Sequence, residues 1–189
     1  TRYWRDWSSD VCSSDLWARQ EFPREHESTG NALYPLSGSD VMHIHQFYPN
    51  AKHYVFFALE TEGTLMDSAF IHSLSPQELQ TGLVAQQKSL ADIFRLTFQI
   101  TQYMGRDLGR SRLDGQQPII LAFLARTGNE VLNVEPITLA RNAEVEVMPA
   151  QMRTRVPQDS IITGLRYTFR RQRGAPLQTL DYWCLQIED

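Results

Sequence analysis

The stretch that decides the fold class is IITGLRYTFRRQRGAPLQTLDYWCLQI, Ile161–Ile187. Its apolar and aromatic residues recur with the alternating period of β-strands over Ile161–Arg171 and again over Leu177–Ile187. The intervening RQRGAP contains glycine and proline, which favour a turn. The pattern predicts two strands joined by a turn near the end of the sequence.

Three more strands are predicted upstream of this pair. They lie in PIILAFLAR (Pro118–Arg126), in VLNVEPITL (Val131–Leu139) and in Ala143–Met148. The TGNE segment between the first two contains Gly128 and Asn129, which tolerate positive φ and favour a hairpin turn. We therefore expect a largely antiparallel sheet in the last third of the chain.

The preceding region predicts helices around one buried strand. YVFFALE (Tyr54–Glu60) is almost wholly apolar, as in a central strand covered on both faces. Apolar residues at helical spacing predict a two-turn helix over Val41–Tyr48. A longer helix should begin at Ser75–Glu78, where serine and glutamate can cap each other and proline occupies the first turn. Its predicted face comprises Leu79, Leu83, Gln86 or Gln87, Leu90, Ile93 and Phe94, with a continuation or restart through Tyr103 and Met104.

Residues 1–16, TRYWRDWSSDVCSSDL, repeat Ser-Ser-Asp around Cys12 and share no pattern with the rest of the chain. They resemble the translation of a short-read sequencing adapter, with an index at Tyr3–Arg5 and a constant arm at Asp6–Leu16. A foreign segment of this kind carries no information about the fold. We interpret residues 1–16 as an artefactual tail and residues 17–189 as one α+β domain. We expect two or three helices against its sheet, and a fragment truncated at both ends.

Charge and composition limit the function classes. Without residues 1–16 the chain has 16 Lys and Arg and 19 Asp and Glu, a net charge of −3. This balance gives no general attraction to nucleic acid, and we expect no nucleic-acid partner. No stretch approaches the ~20 apolar residues of a spanning helix, so no transmembrane segment is predicted. Cys184, in the apolar run YWCLQI, is interpreted as a buried thiol, and no motif indicates a cofactor.

The loop YPLSGSD is the first candidate site. Its short polar side chains either cap the following helix or face a ligand. It lacks the glycine and lysine pattern of a phosphate loop and the G-x-S-x-G pattern of a nucleophile elbow. The candidate ligand-binding residues are Tyr34, Ser37, Gly38, Ser39 and Asp40.

Two histidines come after this loop, His43 and His45. On a helix they lie about 200° apart, which disfavours a shared metal, and we predict no metal site. Asp40 and His43 lie one helical turn apart and form a candidate acid/base pair. His45 is the alternative partner of Asp40.

Arg166, Arg170, Arg171 and Arg173 form the basic cluster of the sequence and are interpreted as solvated charges on an edge strand. Tyr167 and Phe169 alternate with them and are predicted to lie in the core.

The segments YPLSGSD, FYPNAKHYVFFALETEG and PIILAFLARTGN resemble an uncharacterised bacterial family with YPFSGPD, FFPNA and LARTGN patterns. The resemblance runs from about Leu33 to Ile187, with Leu36 and Ser39 in place of the family's Phe and Pro. It implies a bacterial source and a longer parent chain, and is compatible with export. It implies no particular reaction or cofactor.

Two function hypotheses remain. The first is a ligand-binding or structural module with YPLSGSD at its binding surface. The alternative is a hydrolase-like enzyme that uses Asp40 with His43 or His45, with or without a metal ion.

Overall fold

The computed structural model describes residues 16–35, 40–59, 62–66, 68–95, 113, 115–148 and 160–185. These residues form an α+β fold with one mixed, mostly antiparallel sheet, as the order of sequence patterns predicts. The strands are β1 (Asn31–Tyr34), β2 (His53–Ala58), β3 (Glu130–Ala140), β4 (Val145–Val147), β5 (Ser160–Arg170) and β6 (Gln178–Cys184).

Their order across the sheet is β1-β2-β6-β5-β3-β4. β1 pairs with β2, and β2 with β6, in parallel; the pairs β6–β5, β5–β3 and β3–β4 are antiparallel. The predicted β5–β6 hairpin is confirmed, and it lies in the middle of the sheet. β2 is therefore paired with β6, a strand more than a hundred residues further along the sequence.

The helices are α1 (residues 16–21), α2 (Pro23–Glu27), α3 (Val41–Phe47), α4 (Ser68–Ser73), α5 (Pro76–Arg95) and α6 (Gln117–Arg126). The predicted two-turn helix corresponds to α3. Since α3 connects the parallel strands β1 and β2, these three elements form a β-α-β unit.

The core lies between one face of the sheet and helices α3 and α6. Alternate residues of the strands enter it, including Tyr54 and Phe56 of β2 and the predicted core residues Tyr167 and Phe169. Their side chains are essentially inaccessible to solvent. A helix face packed on a sheet in this way buries most of the apolar area that stabilises the fold. Cys184 is also buried, as predicted.

The segment PIILAFLAR is a helix, α6, and the prediction of a strand there is wrong. Its buried residues Ile119, Ile120, Phe123 and Leu124 recur at helical spacing, and a short apolar run fits either period. The predicted TGNE hairpin is therefore wrong as well. Gly128, at φ 80°, ends the helix instead: its N–H is bonded to Ala125 O, and that of Asn129 to Leu124 O.

Helix α5 begins as predicted. The Ser75 N–H donates to Glu78 Oε2 over 2.8 Å, and the Glu78 N–H donates to Ser75 Oγ over 3.2 Å. Its orientation differs from the prediction, because Leu83 is exposed while Gly82 and Ser89 are buried. Gly82 faces Leu113, so a small residue rather than a leucine makes the close contact. The predicted continuation through Tyr103 and Met104 lies outside the described residues.

Candidate functional site

The first candidate site lies at the carboxyl end of β1, where the chain leaves the sheet for α3. Tyr34 ends the strand and Asp40 immediately precedes the helix. Ser37, Gly38 and Ser39 of the predicted site lie outside the described residues. Loops that leave parallel strands and enter helices meet at one edge of the sheet, where ligands are commonly bound.

Asp40 and His43 are brought together at this edge. His43 Nδ1 lies 3.4 Å from Asp40 Oδ1, and the two side chains are 50% and 20% exposed. Asp40 makes no side-chain hydrogen bond to the amides of α3, so the predicted capping role is wrong for this residue. The carboxylate instead faces the imidazole one turn along the helix.

Tyr34 shares this environment with Asp40. Its ring is half-buried, and the ring centre lies 5.9 Å from that of Phe56 on β2. Burial raises the pKa of the Tyr34 phenol, and the negative charge of Asp40 raises it further. Tyr34 therefore stays a neutral hydroxyl that can donate or accept a hydrogen bond.

His45 lies on the other side of α3 from His43. It is buried, and its ring centre lies 6.0 Å from that of Tyr54 and 6.4 Å from that of Phe169. The two histidines diverge as the helical spacing predicts. The structure brings Asp40 to His43 and not to His45.

A second polar cluster lies on the sheet face opposite the core, and the sequence patterns did not predict it. Arg166 of β5 donates from Nε to Asp181 Oδ1 and from Nη2 to Asp181 Oδ2, both over 2.7 Å. His53 of β2 approaches from the other side, with Nε2 3.0 Å from Asp181 Oδ2. The Asp181 side chain is only 2% exposed, whereas that of His53 is 30% exposed.

The charges in this cluster support one another. Burial alone would raise the pKa of Asp181, but the hydrogen bonds from Arg166 and the nearby imidazole of His53 more than offset it and hold that pKa below its usual range. The bond to Asp181 in turn raises the pKa of the Arg166 guanidinium. A carboxylate that remains charged while buried is thus stabilised by a bidentate arginine, the strongest common geometry for such a pair.

The arginine cluster is not on an edge strand, and that interpretation is wrong. β5 is flanked by β6 and β3, and two of its arginines form cross-strand ion pairs. Arg166 pairs with Asp181, and Arg170 Nε lies 2.7 Å from Glu130 Oε2. Arg171 and Arg173 are exposed in the turn after β5, as predicted for solvated charges.

One part of the second cluster has a sequence signal. Arg166 and Asp181 lie on either side of the predicted RQRGAP turn, and they are direct partners in the β5–β6 register. Opposite charges placed across a hairpin indicate a pair. No sequence pattern indicates the contact between His53 and Asp181, because β2 and β6 are far apart in sequence and become neighbours only in the folded chain.

The described parts of the chain hold no evident metal centre. Among those residues, no three His, Cys, Asp or Glu side chains come together in the manner of a metal site. Within the same ranges, none of the helices is both long enough and apolar enough to cross a bilayer. Comparison of the chain with protein-family models, curated proteins and solved structures finds no match. The two polar clusters are therefore the basis for assigning a function.

Proposed function

We propose that this chain is a ligand-binding module whose binding surface is the edge formed by Tyr34, Asp40 and His43. The observation that carries the proposal is the contact between Asp40 and His43 where β1 leads into α3, with Tyr34 close enough to Asp40 for that charge to raise its pKa. Each of these groups is polar and reachable from solvent. Together they offer a carboxylate beside a phenol and an imidazole, both of which form hydrogen bonds.

The chemistry of this edge favours ligands that carry hydrogen-bond donors. The Asp40 carboxylate accepts only, while the Tyr34 hydroxyl can accept as well as donate and the His43 ring provides a further hydrogen-bonding group. A small amine or amide would match this set, because its N–H groups can bond to the carboxylate and its charge, where present, is opposite. The His43 side chain is half-exposed at the protein surface, which suits reversible binding of a ligand.

Isothermal titration calorimetry with a panel of small amines and amides tests this proposal. A panel member that binds should bind about tenfold more weakly to Asp40→Asn, since a charge-assisted hydrogen bond contributes ~1.5–3 kcal/mol. Glu146→Gln is the matched control, because Glu146 is an exposed carboxylate on β4 at the opposite edge of the sheet. Equal affinity loss in both variants would show that only overall charge matters, and no heat from any panel member would contradict the proposal.

A second candidate function, a hydrolase-like enzyme, is favoured by the direction of one contact. His43 turns Nδ1 toward Asp40, which leaves Nε2 as the nitrogen available to a reacting group. A carboxylate that orients an imidazole is the arrangement of many general bases. A metal ion at His43 is the other form of this candidate.

The two candidates differ in what they predict for His43→Ala. If the chain is a hydrolase, cleavage of chromogenic ester and phosphate substrates should fall at least about a hundredfold. His72→Ala removes another exposed histidine, on α4, and should leave the rate unchanged. Metal content measured on the purified chain, with and without His43→Ala, tests whether His43 binds a metal ion. Ligand binding without substrate cleavage would support the ligand-binding module over the hydrolase.

We also propose that residues 1–16 are a translated adapter and that the remainder is a piece of a longer bacterial protein. The support is the resemblance of that segment to a translated adapter, together with the YPLSGSD and LARTGN patterns. Recovery of the complete reading frame from an independent clone tests this directly.

A further inference from the structure

A buried polar site surrounds the first turn of α6, outside the two clusters described above. Gln117, the first residue of this helix, is fully buried. Its side-chain Oε1 accepts a hydrogen bond from the Met66 N–H over 2.9 Å, which fixes the orientation of the carboxamide. The other atom of that carboxamide, Nε2, is a buried donor that makes no hydrogen bond within the described part of the chain. Because an unpaired buried donor costs free energy, this position is suited to a bound partner.

Two further buried polar atoms lack a partner among the described residues. They are Oε1 of Gln116, the residue that precedes the helix, and the hydroxyl of Tyr167 on β5. Glu62 relates Tyr167 to the helix. Its carbonyl oxygen accepts from the Gln117 N–H over 3.1 Å, and its charge adds to burial in raising the pKa of the Tyr167 phenol. Gln117 and Tyr167 therefore both lie near Glu62.

Residues 62–66 cover the first turn of α6. Besides the two hydrogen bonds to Gln117, Gly63 lies against Gly115 so closely that a Cβ on Gly115 would collide with the Gly63 backbone. The two glycines have positive φ, 82° and 73°, which a side chain would strain. A ligand at Gln117 would thus be enclosed by protein. Any charge on it would have to be buried as well, at a high cost, which favours a neutral ligand.

The three unpartnered atoms limit the chemistry of the ligand. The Gln117 donor needs an acceptor, and the Gln116 oxygen needs a donor. A carboxylate offers no donor and an ammonium offers no acceptor, so neither can serve both atoms. A primary carboxamide serves all three. Its oxygen has two lone pairs, for Gln117 Nε2 and the Tyr167 hydroxyl, and its NH2 group can donate to Gln116 Oε1.

We propose that the first turn of α6 is a second ligand site, which binds a small neutral molecule carrying a primary carboxamide. Gln117 and Tyr167 donate to the carbonyl oxygen of the ligand, and Gln116 accepts from its NH2 group. The negative charge of Glu62 further disfavours an anionic ligand. The site has no residue in common with the β1–α3 edge, and it stands independently of the function proposed there.

Titration of the whole ¹⁵N-labelled chain with acetamide tests the proposal, with acetate and ethylammonium as charged molecules of similar size. We expect the side-chain NH2 resonances of Gln116 and Gln117 to shift with acetamide and to stay unchanged with both ions. Asp40→Asn should not alter this response, which separates the site from the β1–α3 edge. Shifts with either ion, or no shift of these resonances with acetamide, would overturn the proposal. A resident water alone, detected by magnetisation transfer to the Gln117 NH2 protons with no response to acetamide, would overturn it too.

Substitutions measure the contribution of each group. Gln117→Met and Tyr167→Phe should each weaken acetamide binding about three- to tenfold, because each removes one hydrogen bond to the ligand. Gln80→Met is the matched control and should leave the affinity unchanged, since Gln80 is an exposed glutamine on α5. Tyr167→Phe keeps the test decisive if Gln117→Met does not fold, because the Tyr167 hydroxyl has no partner among the described residues to lose. Unchanged affinity in Tyr167→Phe would overturn the proposal.

Discussion

Arg166 holds both carboxylate oxygens of Asp181 at 2.7 Å, across the central strand pair β5–β6. The pair lies within the sheet, and one partner is almost completely buried. Removal of one member of such a pair leaves the other charge uncompensated, which costs far more than loss of a surface ion pair. The stability of the whole sheet should therefore depend on this contact.

Asp181→Asn should lower the free energy of unfolding by about 3 kcal/mol, because the Arg166 charge would remain without its partner. Urea denaturation measures this change. Arg170→Gln is the control: its ion pair with Glu130 is partly exposed, and its loss should cost less than ~1 kcal/mol. Equal effects of the two substitutions would show that the buried pair has no special role.

The same carboxylate predicts a pH dependence. Because the pKa of Asp181 is lowered in the folded chain, its ionisation stabilises the fold at pH values above the unfolded pKa of about 4. That contribution should be lost as the pH falls through the folded pKa. Denaturation from neutral pH downward should therefore show the difference between wild type and Asp181→Asn narrowing below about pH 4. A difference that stays constant down to about pH 2 would contradict this assignment.

Two positions with positive φ should respond in opposite directions. Gly128 has φ 80°, and Gly128→Ala should destabilise the chain by ~1 kcal/mol because an L side chain is strained there. Ala143, in the turn between β3 and β4, has φ 65°, and Ala143→Gly should stabilise the chain by a few tenths to ~1 kcal/mol. Thermal unfolding of the two variants measures both effects. A drop in melting temperature for Ala143→Gly would count against the turn geometry.

The buried tyrosines provide a matched comparison. Tyr54 donates its hydroxyl proton to Tyr48 O and accepts from Gln178 Nε2, so Tyr54→Phe should cost about 1 kcal/mol or more. The Tyr167 hydroxyl is buried and has no hydrogen-bond partner among the described residues. Burial also raises the pKa of that phenol well above its usual value. Tyr167→Phe should therefore leave stability unchanged or increase it, as urea denaturation would show. A cost comparable to that of Tyr54→Phe would indicate a bonded hydroxyl.

The boundary of the tail can be located by truncation. Leu16 is exposed, whereas Ala18 is fully buried and the ring of Trp17 packs edge-on against those of Phe22 and Phe47. Removal of residues 1–16 should leave the melting temperature unchanged. Removal of residues 1–22 should lower it, since the aromatic contacts with α3 are lost. A large loss from the shorter truncation would contradict the interpretation of residues 1–16 as foreign.

Local patterns predicted much of the fold. The capping box at Ser75 and Glu78, the strand at Tyr54 and the β5–β6 hairpin depend on neighbours in sequence, and the structure confirms them. The prediction that this strand is covered on both faces is wrong, because only alternate residues of β2 are buried. PIILAFLAR was mispredicted because a short apolar run carries no clear period. The signal at Gly128 was real, but a residue that tolerates positive φ can end a helix as readily as it can form a hairpin turn.

The two candidate sites differ in the same respect: one depends on local sequence spacing and the other on the pairing of distant strands. Asp40 and His43 are one helical turn apart, so their proximity results from local spacing. His53 meets Asp181 only because β2 pairs in parallel with the last strand. Nothing in the neighbourhood of His53 in the sequence indicates that contact. Sites assembled by distant strands need the topology before they can be found.

The most direct test of the central claim, that the β1–α3 edge binds ligand, is a map of where a bound ligand acts. Amide and imidazole resonances of ¹⁵N-labelled chain are followed while a small amine that gives heat in calorimetry is added. We predict that the largest shifts fall on Tyr34, Asp40 and His43 and disappear in Asp40→Asn. Shifts concentrated on the opposite sheet face or on the exposed side of α5, with those three residues unchanged, would contradict the account.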